Sequence, residues 1–161
     1  MFAFGRKKVQ IAAPFVGEVV EIGEVPDPVF SSGMLGPGLA VIPEPDAAGV
    51  DVCSPVKGRL IRVFRTLHAF ALVTEGGLEV LVHIGLDTVE LGGAGFESLV
   101  PEGTEVMLGQ PIIRFDAAAV RASGRNPITP VVFSKRKQVA EVKAKKGRVI
   151  AAEPAAVAFL A

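Results

Sequence analysis

The chain has 161 residues, enough for one domain with a single core, and its 17 basic side chains balance 17 acidic ones. Zero formal charge argues against nucleic-acid binding by counterion release, no apolar run approaches the roughly 20 residues of a spanning helix, and the opening stretch lacks the apolar core of a secretory signal. The lone Cys53 excludes an internal disulfide, two histidines do not fill a zinc-finger cage, and ten aromatic residues that are all Phe offer no Trp or Tyr platform for sugars or single strands.

Gly (18) and Pro (12) punctuate β-branched runs along almost the whole length, which is the pattern of short strands and turns. Strands are predicted at 17–22, 38–42, 59–64, 69–74, 79–84, 104–107, 111–115, 129–133 and 148–150. The fold class expected is all-β, an antiparallel β-sandwich with one or two short helical turns. One helix follows Asp116, which caps the run 117–123 before Gly124 supplies a left-handed stop. The charged stretch 138–146 reads either as a helical turn or as an exposed strand. Two echoes suggest a duplicated β unit: Pro14-Phe15-Val16-Gly17 recurs 41 positions on as Pro55-Val56-Lys57-Gly58, and Val106, Gly109 and Pro111 recur 43 positions on as Val149, Ala152 and Pro154.

The only two histidines, His68 and His83, flank one predicted hairpin. Its Gly76-Gly77 pair predicts a two-residue type I′ turn, in which both central residues take positive φ. That register sets Phe70 opposite His83 and leaves His68 on the same face, one diagonal step away at roughly 7–8 Å between backbones. The imidazoles are therefore expected to meet, whether as hydrogen-bonded core groups, a metal pair, an acid/base pair, or a nucleophile with a helper. Asp87, four residues beyond His83, is the nearest acidic candidate on the far side of the hairpin. Zinc would need a third protein ligand, and no His-x-His motif is present.

The run Val82-His83-Ile84-Gly85-Leu86-Asp87-Thr88-Val89-Glu90-Leu91, followed by Gly95-Phe96, resembles the glucose-type IIA component of the bacterial phosphoenolpyruvate:sugar phosphotransferase system. The likeness extends through Ile11-Ala12-Ala13-Pro14, Val25-Pro26-Asp27-Pro28-Val29-Phe30, Gly36-Pro37-Gly38, Thr66-Leu67-His68-Ala69-Phe70, Glu102-Gly103, Val106-Met107-Leu108-Gly109 and Thr129-Pro130-Val131-Val132. It implies a β-sandwich that accepts a phosphoryl group from the phosphohistidine of the small carrier HPr. The group then passes to a cysteine on the IIB domain of a sugar permease. By the same resemblance His83 is the phosphorylated nucleophile, His68 its phosphoryl-stabilising partner, and Thr66 the hydroxyl that orients His68. Val29, Phe30, Met34, Leu35, Phe64 and Val89 match an apolar docking surface, and Asp27 and Asp87 match acidic positions that face basic residues of HPr. No cofactor is implied and no metal is required, although His68 and His83 could bind zinc with a partner's carboxylate.

Two positions depart from the family pattern: Leu67 stands where Asn is frequent, and Leu81 where Phe is common. The family's longer amphipathic N-terminal tail has no counterpart beyond Phe2, Phe4 and three basic residues, so at most peripheral membrane contact is expected from a short flexible segment 1–8. Residues 9–161 then form a single domain. Cys53, in Val52-Cys53-Ser54-Pro55, does not resemble a IIB phosphorylation loop, so the reading is a free-standing cytoplasmic carrier. Unphosphorylated members of the family also bind transporters and metabolic enzymes, and regulatory partners of that kind are implied as well. Two rival readings are a zinc peptidase on a related β scaffold, for which two histidines supply too few ligands, and a non-catalytic binding module. A lipoyl-type carrier would need a lysine at a hairpin tip, where this chain has Gly76-Gly77.

Overall fold

Gly17 and Gly58 each open a strand that crosses directly over a neighbouring carbonyl, where a Cβ would lie 2.1 Å from the oxygen of Ile42 and 2.4 Å from that of Val73. Only glycine permits such an approach. The computed structural model describes residues 7–161. Its strands are β1 (Lys8–Ala12), β2 (Gly17–Glu21), β3 (Gly38–Pro43), β4 (Gly49–Cys53), β5 (Gly58–Val63), β6 (Ala69–Val73), β7 (Glu79–His83), β8 (Phe96–Ser98), β9 (Glu105–Val106), β10 (Pro111–Asp116), β11 (Thr129–Val132), β12 (Val139–Ala144), β13 (Gly147–Val149) and β14 (Pro154–Leu160). Two short helices, α1 (Pro28–Ser31) and α2 (Ala117–Ala122), and 3-10 turns at Ile22–Glu24, Thr88–Leu91 and Arg136–Gln138 lie between them.

All strand pairs are antiparallel, as expected for the sandwich. The large sheet runs β13-β2-β3-β11-β7-β6-β5-β9, and two three-stranded sheets, β1-β14-β12 and β4-β10-β8, pack on it. Alternation decides what each face does. Leu39, Val41, Phe70, Leu72, Val80, Val82 and Val131 point into the main core between the sheets, where they meet Ile11, Val52, Ile113 and Phe115. The opposite face carries Val20, Ala40, Leu81 and Val132, and a second cluster covers it with Val25, Phe30, Leu35, Leu86 and Ile128.

The two sequence echoes are structurally equivalent. Ala12 N–H donates to the carbonyl of Pro55 (2.9 Å), and Cys53 N–H returns the bond to Pro14 (2.8 Å). Ala13 N–H donates to Glu153 as Ser54 N–H does to Gln110. Ala152 N–H then bonds the carbonyl of Ala13, as Gly109 N–H does that of Ser54. Even the side-chain turns correspond, since Gln110 Oε1 accepts from Met107 N–H and Glu153 Oε1 from Ile150 N–H. Residues 12–14 thus map onto 53–55, and 107–110 onto 150–153, about a pseudo-two-fold relation. These paired bonds support the duplicated unit.

The structure also differs from expectation in several places. Strands β1, β4, β8 and β14 and helix α1 were not predicted, and the ambiguous stretch resolves into a 3-10 turn followed by strand β12. Of the expected flexible segment 1–8, residues 1–6, including Phe2, Phe4 and Arg6, lie outside the described residues. Lys8 already pairs with Phe159 and the Lys7 carbonyl accepts from Leu160 N–H, so that end of the segment is strand-bound. Helix α2 follows the reading: Asp116 accepts from Ala119 N–H at 2.9 Å, and Gly124 takes φ +83. The β6–β7 hairpin does not. Its loop is Glu75-Gly76-Gly77, closed by Gly77 N–H to Thr74 and Thr74 N–H to Leu78, and of the two glycines only Gly77 has positive φ. A three-residue loop shifts the register by one, so Ala69 rather than Phe70 faces His83.

Candidate functional site

His83 ends β7 on the face shared with Leu81, away from the main core. There α1 brings Phe30 edge-on to its ring, at 5.1 Å between centroids and 62° between planes. Helix α1 forms where it does because Asp27 accepts from Val29 N–H at 3.0 Å and Pro28 supplies the first helical residue. His68 ends the β5–β6 connection, residues 64–68. Its ring lies 5.1 Å from that of His83 at 76°, so the expected meeting of the two histidines occurs, although by a different route. Phe64 stands edge-on behind His68 at 5.4 Å, and the Arg62 guanidinium stacks on Phe64 at 4.0 Å from its centroid.

The hydrogen bonds set the tautomer of His83. Its Nδ1 lies 2.7 Å from the carbonyl of Gly85, and a carbonyl only accepts, so Nδ1 carries the proton and Nε2 the free lone pair. Gly85 owes its place to the next turn. It takes φ +76, and a Cβ there would lie 2.6 Å from Cγ2 of Thr88, whose hydroxyl donates to the carbonyl of Ile84. On the other ring, Thr66 Oγ1 lies 2.5 Å from His68 Nδ1.

Both imidazoles are held uncharged at neutral pH. Burial, reinforced by the neighbouring His83, pushes the pKa of His68 down to about 4. Burial also lowers that of His83, against the Gly85 hydrogen bond and the charges of Asp27 and Asp87, which favour its protonated form. An uncharged imidazole with a fixed Nδ1–H and an open Nε2 is a nucleophile. The Cys53 thiol, by contrast, is buried and pushed up to about 11, so it stays protonated and inert. Among the described residues no group of three His, Cys, Asp or Glu side chains is arranged to hold a metal, which leaves the zinc-peptidase reading without a ligand set.

The expected docking residues divide by exposure. Val29, Met34 and Val89 are exposed, at 41%, 70% and 49%, while Leu35 and Phe64 are half-buried. Of the expected docking residues, Phe30 is the buried one. It is 3% exposed, a wall of the histidine pocket and part of the second core cluster. Asp87 is exposed and opens the Thr88–Leu91 turn with φ 57, and Asp27 is tied up in capping α1. Sequence reasoning missed Gly85 as the acceptor for His83, a role signalled only by a glycine two residues past the histidine. It also missed Arg125, which donates to the carbonyl of Asp87 and to Glu90 and so pins the loop after His83. Nothing in the local sequence marks that long-range contact.

The comparisons with known proteins agree with this geometry. The family model described as phosphoenolpyruvate-dependent sugar phosphotransferase system, EIIA 1, matches residues 9–139. The chain is 42% identical over 136 residues to a PTS system glucose-specific EIIA component of Staphylococcus epidermidis, covering 84% of this chain and 80% of that protein. A component of the same name from Staphylococcus aureus is 42% identical over 137 residues, covering 85% and 80%. Among solved structures, glucose permease IIA from Mycoplasma capricolum superposes with a TM-score of 0.83 at 36% identity, covering 98% of this chain and 99% of that one.

Proposed function

Since the chain belongs to the EIIA 1 family of the phosphoenolpyruvate-dependent sugar phosphotransferase system, we propose that it is a cytoplasmic phosphocarrier of that system, accepting a phosphoryl group from phospho-HPr on Nε2 of His83 and passing it to a cysteine of a permease IIB domain. The observation that carries this reading is the bond from His83 Nδ1 to the Gly85 carbonyl, which leaves Nε2 as the lone-pair nitrogen of a ring 5.1 Å from that of His68. As the N–P bond of the donor breaks, that lone pair forms the new N–P bond. The Nδ1 proton stays on the ring, and the Gly85 carbonyl stabilises the positive charge the ring acquires. Thr66, donating its hydroxyl proton to His68 Nδ1, leaves Nε2–H of His68 free to donate to a phosphoryl oxygen. Catalysis is then positioning and hydrogen bonding to the transferring group, with no covalent role for His68.

Residues 9–161 act as one domain in this reading, which the pairing of β14 with β1 supports. Val29, Met34, Leu35, Phe64 and Val89 form the apolar docking surface, and Asp27 and Asp87 its acidic rim. The same surface, when His83 is unphosphorylated, is available to transporters or metabolic enzymes as regulatory partners. Among the described residues no helix is long and apolar enough to cross a membrane.

Incubation with phosphoenolpyruvate, the first enzyme of the system and HPr, followed by intact mass, tests the proposal. One acid-labile phosphoryl group is expected on the parent and on His68→Ala, with none on His83→Ala. A labelled His83→Ala variant would overturn the assignment.

A further inference from the structure

His68 lies opposite Ile84 in the ladder, since Ile84 N–H donates to the His68 carbonyl at 2.6 Å. Ile84 is buried in the main core with Val82 and Val80, whereas His83 points to the other face with Leu81. Strict alternation from Ala69 and Phe70 would therefore send the His68 side chain toward the main core, one face away from His83. Its ring nevertheless sits 5.1 Å from the ring of His83.

The departure originates one residue earlier. Residues 64–67 form a tight turn, closed by Leu67 N–H to the Phe64 carbonyl at 2.8 Å, and Leu67 leaves it at φ 60. The chain thus enters His68 from left-handed rather than extended backbone. The bond from Phe64 N–H to the Ala69 carbonyl restores the ladder immediately afterwards, which confines the irregularity to this turn. Only three described non-glycine residues have positive φ: Leu67, Asp87 and Ala152. Leucine pays a steric penalty in this conformation that glycine avoids and asparagine largely escapes.

We infer that Leu67 is a positioning residue for phosphoryl transfer, and that it acts through its left-handed backbone, which turns His68 across the sheet onto His83, rather than through its side chain. The inference rests on the reading of His68 as the phosphoryl partner. It makes two groups of substitutions behave in opposite ways. Leu67→Gly and Leu67→Asn discard the leucine side chain but keep the backbone conformation accessible. Leu67→Ile keeps an apolar side chain of the same size but, being β-branched, disfavours left-handed backbone.

The test combines proton–proton NOEs between the two imidazoles with the steady-state rate of transfer onward from HPr. The Gly and Asn variants should keep the inter-ring NOEs and a kcat within about twofold of the parent. The Ile variant should lose the NOEs and drop kcat by about tenfold or more, with a smaller change in KM, because docking residues are untouched. Loss of the NOEs in the Gly and Asn variants would overturn the inference and assign the role to side-chain packing, and this outcome can be read even if the Ile variant does not fold. An Ile variant with parental NOEs would overturn it equally. The NOEs need no phosphorylation, so a parent protein that takes no phosphoryl group would sink the functional proposal while leaving this inference measurable.

Discussion

Between β2 and β3 the chain takes residues 22–37, including α1, whereas between the equivalent β5 and β6 it takes only 64–68. The strands that these connections join are held alike: Gly17 and Gly58 cross carbonyls of the next strand, and Pro14 and Pro55 accept reciprocal backbone bonds. The long connection lays Phe30 against His83, and the short one delivers Thr66 and His68. What the two halves share is therefore the frame, and where they differ they build the pocket. A duplicated unit tolerates divergence in its connections because backbone hydrogen bonding in the strands does not depend on them.

The strongest way to probe the shared frame is to add a methyl group at equivalent points. Gly17→Ala and Gly58→Ala would each force a Cβ into a backbone carbonyl. Each should destabilise the fold by about 3 kcal/mol, read by urea denaturation, because backbone yields less readily than side chains. Similar losses at the two sites sharpen the comparison, and a neutral Gly58→Ala beside a disruptive Gly17→Ala would break it.

A smaller effect is expected in the connections. Phe30→Leu keeps an apolar side chain in the second cluster but removes the ring edge from His83, and should cost about 1 kcal/mol of stability together with a several-fold loss in transfer rate. The same change at Phe64, which is half-buried, should cost less stability. If Phe64→Leu proves the more destabilising, the long connection is not the one that walls the pocket.

A further effect, read as a slope and not as a loss at one pH, is in the acid range. His68 titrates near 4 in the folded chain and near 6.5 when unfolded, so between those values the unfolded state binds more protons. Its contribution to stability should be full above pH 6.5, decline as the pH falls toward 4, and change no further below that. His68→Phe should remove that part of the slope in chemical denaturation measured across this range, and an unchanged slope would place the titrating group elsewhere.

Much of this organisation is legible in the sequence, because strands that pack one face on the core alternate visibly and glycines mark their turns. Strand β14, Pro-Ala-Ala-Val-Ala-Phe-Leu, escaped because alanine carries no β signal, and β1 because it opens on Lys8, at the end of a basic run that reads as a flexible segment. Helix α1 escaped through its length, four residues, although Asp27-Pro28 is a capping signature. The hairpin at Gly76-Gly77 shows the limit most clearly. Two glycines are compatible with a two- or a three-residue loop, and backbone bonds at Thr74 decide for the longer one. The histidines meet in either register, but in the observed one the turn at Leu67 is required, and leucine gives no hint of a left-handed residue.

The central claim is that the phosphoryl group sits on Nε2 of His83 while Nδ1 keeps its proton on the Gly85 carbonyl. Long-range proton–nitrogen correlation NMR on the phosphorylated, nitrogen-labelled protein measures this directly. The account predicts phosphorus coupling at Nε2 of His83, a protonated Nδ1 on the same ring, and no phosphorus coupling on His68. Phosphorus coupling at Nδ1 of His83, or at either nitrogen of His68, would contradict it.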